Sequence, residues 1–256
     1  MTSQPDPRRS GPACASQPLS FARSEPAIGL HVRTSRDGVE AALVRRFLEH
    51  ALDTFARPSE AIALFCEPRL EIGYPDIVIT VFDPRHYDHW STARAFLEVQ
   101  DLKILQHLHT VGSTDTEQLS LQLGLPIQDA DFRLAKLHDA RLVRCIRRRW
   151  APYSLRRSYG IKRLIAIEAK INNWRAAFHQ ATMNRWFASE TYILSPVAKP
   201  SRRVLERAKA FGVGIYTCSQ NGVVRANPSV QSALPACYAS WLFNEWIGRS
   251  LNSGLV

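Results

Sequence analysis

Along most of this chain, apolar runs of strand length alternate with stretches of helical periodicity, and no other feature restricts the fold so strongly. Residues 61–65, 77–82, 164–169, 191–195 and 213–218 are short apolar runs, the first two separated by Glu-Pro-Arg and Gly-Tyr-Pro turn chemistry. Val39, Leu43, Phe47, Leu48 and Leu52 follow helical spacing with charges on the other face, and 174–188 and 202–211 are further helices. Strands that alternate with helices predict an α/β protein, a sheet with helices on its faces. Tyr238, Trp241, Leu242 and Trp246 recur at helical spacing in the tail, where a helix serves packing.

One stretch interrupts this pattern. Leu97, Leu102, Leu105 and Leu108 mark a helix that Gly112-Ser113 breaks, residues 116–123 form a second ending at Gly124, and 127–140 form a third carrying Phe132, Leu134 and Leu137. Residues 142–150 then alternate polar and apolar, as a basic hairpin does. Helix, short helix, turn, helix and hairpin is the order of a winged helix-turn-helix. The expected organisation is therefore a leader over 1–35, the first half of a core over 36–92, an inserted, mainly α winged-helix domain over 93–160, and the second half of the core with a C-terminal helix over 161–256. The leader, rich in Pro, Ser and Arg without apolar periodicity, is expected to be disordered, with order beginning near Asp37-Gly38.

Charge narrows the function classes. The 256 residues carry a formal net charge of +10, an excess that suits a polyanionic partner because Lys and Arg neutralise phosphates and release counterions. Five scattered cysteines without a C-x-x-C pair argue against a disulfide framework and a zinc site, and favour a reducing compartment. No apolar run approaches the ~20 residues of a membrane span, and the N-terminus lacks the apolar core of a secretory signal, so a cytoplasmic protein without a membrane partner is expected.

Two stretches far apart in sequence carry the chemistry. Gly73-Tyr74-Pro75-Asp76-Ile77-Val78 and Ile165-Ala166-Ile167-Glu168-Ala169-Lys170 each set an acidic residue at the edge of an apolar strand. Glu168 and Lys170 are two apart, so both emerge on one face of the strand while Ala169 points to the other. A carboxylate from each strand can then meet over a common point with an ammonium beside them. Two carboxylates and a backbone carbonyl are hard oxygen ligands suited to Mg²⁺, which polarises a phosphodiester and helps generate hydroxide at neutral pH. Lysine, a compact charge on a flexible stem, can hold the attacking water or offset charge on phosphorus.

Pro75-Asp76 followed by Glu168-Ala169-Lys170 resembles the signature of the PD-(D/E)XK nucleases. The resemblance spans 38 to about 220 once the insertion is removed, and it implies a restriction-endonuclease-like mixed sheet flanked by helices. It further implies a metal-dependent DNA endonuclease in which Asp76, Glu168 and the Ala169 carbonyl hold Mg²⁺, with Mn²⁺ able to substitute, and Lys170 positions or activates water. Glu40, on the first helix, and Gln180, ten residues beyond Lys170, stand where the family carries a supporting Glu and Gln; Asn184 and Phe187 share the Gln180 face. The departure is the long gap between the two halves, where the family has a short hairpin; an inserted domain accounts for it.

The basic run Arg141, Arg144, Arg147, Arg148, Arg149, Arg156, Arg157, Lys162 and Arg163, interleaved with Trp150, Tyr153 and Tyr159, is read as phosphate-contacting. Arg147, Arg148, Arg149, Arg156 and Arg157 are the candidate nucleic-acid ligands, with Lys136 on the third inserted helix, although Asp129, Asp131 and Asp139 on that helix would repel DNA. DNA is the expected partner; cutting both strands would need a homodimer or a larger nucleoprotein assembly. The alternative is a non-catalytic DNA-binding regulator or assembly factor on a nuclease-like scaffold.

Overall fold

The computed structural model describes residues 18–33, 38–52, 55, 57–220 and 222–253. Its elements are strand β1 (Leu19–Phe21), helix α1 (Val39–Ala51), β2 (Ala61–Cys66), β3 (Ile77–Phe82), α2 (Val99–Val111), α3 (Thr116–Leu123), α4 (Ile127–Asp139), β4 (Val143–Ile146), β5 (Arg149–Pro152), the single turn α5 (Leu155–Ser158), β6 (Ile161–Ala169), α6 (Trp174–Asn184), β7 (Glu190–Ser195), α7 (Arg202–Phe211), β8 (Gly214–Ser219), β9 (Gly222–Asn227) and α8 (Tyr238–Asn252). Seven strands form one mixed sheet in the order β1-β2-β3-β6-β7-β8-β9, flanked by helices, as the alternation of elements predicts. β3 and β6 lie antiparallel at its centre, and β7 and β8 continue parallel to β6.

Each central strand is buried on both faces, and its side chains divide by parity. Ile77, Ile79 and Val81 of β3, with Ile165 and Ile167 of β6, pack under Leu43 and Phe47 of α1. Val78 and Phe82, with Leu164 and Ala166, join the opposite core beneath Phe243 and Trp246 of α8. Asp76 and Glu168 share the parity of this second set, so strand geometry alone aims both carboxyls at the same side of the sheet.

The interrupting stretch is three helices followed by the two-stranded sheet β4-β5, with Leu102, Leu105, Leu108, Leu119, Leu134 and Leu137 fully buried among them. It is not a separate lobe. One apolar core runs from these leucines through Trp241 and Phe243 of α8 to Phe21 and Phe65 at the sheet edge. Buried polar groups fix the junction: Arg94 donates to both carboxylate oxygens of Glu245, at 3.0 and 2.5 Å, with the Glu245 side chain fully enclosed. Asn244 Oδ1 accepts from Tyr87 Oη (3.0 Å) and the Gly160 amide (2.9 Å), and Trp241 Nε1 donates to Gln106 Oε1 (2.9 Å).

The leader departs from expectation. Residues 1–17 and 34–35 lie outside the described residues, but 18–33 are ordered. β1 adds in parallel to β2, Phe21 stacks on Phe65 with ring centroids 4.7 Å apart, and Ile28 and Leu30 are fully buried. The physical reason is local: three strand residues and two aliphatics suffice to cover a sheet edge even in a Pro- and Ser-rich context, because the edge supplies the hydrogen bonds. Among the described residues no helix is long and apolar enough to cross a membrane.

Candidate functional site

β3 begins where β6 ends. Ile77 pairs with Ile167, so one step further along the antiparallel ladder Asp76 comes beside Glu168, at the carboxyl ends of the parallel strands β6 and β7. Open α/β sheets leave their crevices at such ends. Asp76 is fixed by the Ala169 amide, which donates to its Oδ2 at 2.8 Å. Lys170 leaves the strand and turns back over the pair: its Nζ lies 3.5 Å from Asp76 Oδ2, 3.3 Å from Glu40 Oε2 and 2.9 Å from the Ala169 carbonyl oxygen, to which it donates. Glu40 can reach it because it occupies the first turn of α1, where a carboxylate also faces the positive end of the helix dipole.

The two carboxyls are not equivalent. Glu168 is 2% exposed; its Oε1 accepts from Asn184 Nδ2 at 2.6 Å, while its Oε2 is buried and meets no donor group, so that only a proton shared with the Asp76 carboxyl can satisfy it from within the protein. Burial, and then the adjacent Asp76 charge, push the Glu168 carboxyl up to about 8, against the weaker opposing pull of Asn184 and Lys170. Asp76 is also raised, by burial first, though Lys170 and the Ala169 amide hold it down. Burial disfavours the Lys170 ammonium, but Asp76, Glu40 and Glu168 together outweigh it and raise its affinity for the proton. Both shifts favour a proton on the dyad, and because the two carboxyls interact directly, that proton belongs to the pair.

An enclosed carboxylate oxygen that has no donor facing it once the pair is ionised is the observation that tests whether a metal fits. Leaving such a group unmatched costs free energy, and a divalent cation shared with Asp76 would satisfy it and displace the proton. The donor set of two carboxylates and the Ala169 carbonyl is all oxygen, which suits Mg²⁺ or Mn²⁺. Among the described residues no group of three or more His, Cys, Asp or Glu side chains converges, so the site has two carboxylates rather than three; Glu40 meets Lys170 instead.

Asp76, Glu168, Ala169, Lys170 and Glu40 are therefore brought together. Gln180 lies one turn before Asn184 on α6 with its Oε1 buried and unpaired, and Asn184 is the amide that bonds Glu168. Sequence spacing places both amides on one face, and the hydrogen bond to Glu168 is made by Asn184. After β3, Asp83 caps the next turn and pairs with Arg85.

The basic run divides. Arg163 pairs with Glu190 and Lys162 with Glu60. Arg147 and Arg148 form the two-residue turn between β4 and β5, with φ of 51° and 63°. Both lie in the left-handed region, the signature of a type I′ turn, where Asn-Gly is favoured and other L-residues are strained. Both are exposed. Arg149 is anchored through Ser113, its Nη2 donating to the carbonyl at 2.6 Å. Arg156 is exposed on α5, and Arg157 lies 4.0 Å over the Tyr153 ring beside a cleft of about 370 Å³ shared with Arg141 and His138. Lys136 points elsewhere: its Nζ meets the enclosed Asp101 at 2.7 Å, and Arg133 on the same helix bonds Asp101 and Asp129. Asp101, far away in sequence, consumes the cations of α4, so its outward charges are Asp131 and Asp139.

No family model matches the chain, and no curated protein or solved structure gives a match. The functional reading therefore rests on the site's own geometry.

Proposed function

We propose that this protein is a metal-dependent DNA endonuclease with a restriction-endonuclease-like core, and that residues 93–160 are an inserted winged helix-turn-helix unit. The observation that carries the reading is the buried dyad of Asp76 and Glu168 on neighbouring strands, with a Glu168 oxygen that no donor group meets and the Lys170 ammonium 3.5 Å from Asp76. The Lys170 ammonium cannot neutralise both buried carboxyls, so the dyad keeps a proton in its dry position unless a further cation takes that proton's place. Asp76, Glu168 and the Ala169 carbonyl would hold Mg²⁺ or Mn²⁺, which supplies Lewis-acid polarisation of a phosphodiester and neutralises developing charge.

The chain's own groups have separable tasks. The Ala169 amide orients Asp76, and Asn184 orients Glu168. Lys170, its ammonium stabilised by three carboxylates, holds a water or a phosphate oxygen by hydrogen bonding and stabilises negative charge on the phosphate. Glu40 keeps Lys170 directed at Asp76. The strained arginine turn and Arg156 and Arg157 supply sequence-independent phosphate contacts, while the α4 face, its cations internally paired, contributes little to them.

The test is cleavage of supercoiled plasmid with Mg²⁺ or Mn²⁺ against an EDTA control. Lys170→Ala should fold and bind DNA as the wild type does while losing about 10²–10⁴ in cleavage rate. Undiminished metal-dependent cutting by that variant overturns the assignment. Tight DNA binding without cleavage under any divalent cation would support the non-catalytic alternative.

A further inference from the structure

The outward face of α6, opposite Asn184, closes with α7 on an open groove of about 570 Å³. It is lined by Asn173, Arg175, Phe178, His179, Arg207 and Phe211 among others, and none of its lining residues is acidic. The groove starts at Asn173, which caps α6 through the Ala176 amide and stands only three residues beyond Lys170. Arg207 spreads over two aromatic rings, 5.1 Å from the Phe178 centroid and 5.6 Å from that of Phe211. Phe178 is buried, but Phe211 is 44% exposed, so a large apolar ring faces solvent beside two exposed arginines. Among the described residues neither Arg175 nor Arg207 has a carboxylate partner, unlike Arg202, which pairs with Glu206.

We propose that this groove is a nucleic-acid subsite for an unpaired strand, taking a base against Phe211 and the flanking phosphates on Arg175 and Arg207. The combination of an accessible aromatic face, guanidinium groups and no acid is that of a stacking platform with an electrostatic track. A groove of this volume admits a ligand of nucleotide size. A base inside a duplex offers no free face to Phe211, so the subsite selects single-stranded DNA, or a strand unpaired near the cut, over intact duplex. The charge complementarity is with a polyanion, whose identity as DNA rests on the nuclease reading.

The experiment is fluorescence anisotropy of a labelled twelve-nucleotide oligo-dT with the full chain in EDTA, across a salt series, beside a blunt duplex of equal length. Arg175→Gln/Arg207→Gln should weaken single-strand binding about tenfold and reduce the slope of log K against log salt by roughly 1.4, two contacts at about 0.7 each. Phe211→Leu, which keeps an apolar side chain against Phe178 but removes the stacking face, should weaken it at least fivefold and leave the duplex nearly unaffected. Melting curves and duplex affinity matching the wild type establish that these conservative variants fold. Single-strand affinity unchanged in both variants overturns the proposal, as does a loss from the arginine variant alone or an equal loss for duplex. Because no metal is present, the outcomes separate: groove-dependent binding by a protein that never cleaves retires the nuclease reading and keeps the subsite, whereas cleavage with groove-independent binding does the reverse.

Discussion

Replacing Glu168 by Gln puts the buried dyad to a quantitative test. The glutamine keeps an oxygen for Asn184 Nδ2 and carries no charge at any pH, so it mimics the protonated carboxyl. In the wild type, the Glu168 carboxyl holds its proton up to about pH 8 when folded, against an ordinary value of 4.5 when unfolded. Between those limits the folded state binds more protons than the unfolded one, so stability is greatest below pH 4.5 and falls as pH rises towards 8. Each unit of pKa difference is about 1.4 kcal/mol, which sets a ceiling near 5 kcal/mol for the whole penalty and about 3–4 kcal/mol for the part that develops between pH 5 and 8. The variant lacks that penalty. Urea unfolding in EDTA at constant ionic strength should therefore show wild type and Glu168→Gln with similar stability near pH 5 and the variant clearly more stable at pH 8. Adding Mg²⁺ should reverse the order, since a ligand that binds only the folded wild type stabilises it by mass action, and at pH 7 that binding should release a proton. Stability curves that run parallel from pH 5 to 8 would refute the buried, proton-holding dyad.

Three further predictions address the surroundings of the site. Arg147→Asn/Arg148→Gly should stabilise the protein by about 1–2 kcal/mol, because it relieves left-handed strain at both turn positions, and yet weaken duplex DNA binding and lower the salt slope by roughly 2; calorimetry with a salt titration reads both signs. Asn184→Ala removes the donor to Glu168 Oε1 and should cost about 1–3 kcal/mol in thermal unfolding, with weaker Mg²⁺ binding in a metal titration. Arg94→Ala leaves the enclosed Glu245 carboxylate unpaired and should cost about 3–5 kcal/mol, most of which Arg94→Met/Glu245→Leu should recover in chemical denaturation.

The main elements of the sheet were legible because each central strand is a continuous apolar run and each flanking helix shows its period. β9 was not, since Gly222–Asn227 is an edge strand whose middle faces solvent and so lacks an apolar pattern. β1 escaped for a related reason: Leu19–Phe21 is too short to show a period amid Ser and Pro. At the site, Asp76, Glu168 and Lys170 could be read off together because strand parity fixes where side chains point, and Glu40 followed from its place on the first helix. That Asn184 bonds Glu168 depends on how α6 rotates against β6, a tertiary quantity that spacing does not encode. The inward turn of Lys136 was equally hidden, because its partner Asp101 lies two helices earlier and its full burial is visible only once α2 and α4 pack.

The length of chain between β3 and β6 has a consequence for assembly. β3 and β6 are neighbours in the sheet but are separated in the chain by α2, α3, α4 and the β4-β5 hairpin. Joining them directly would mean closing a long loop, whose entropic cost grows with its length. Packing of the α2, α3 and α4 leucines against one another before β6 docks would shorten that loop to the distance between the segment's two ends. Assembly of the dyad would then follow the packing of α2, α3 and α4, and a chain ending anywhere before β6 carries Asp76 without Glu168 or Lys170. A substitution among the buried leucines of α2, α3 and α4 would on this account slow the appearance of metal binding during refolding as well as lower final stability.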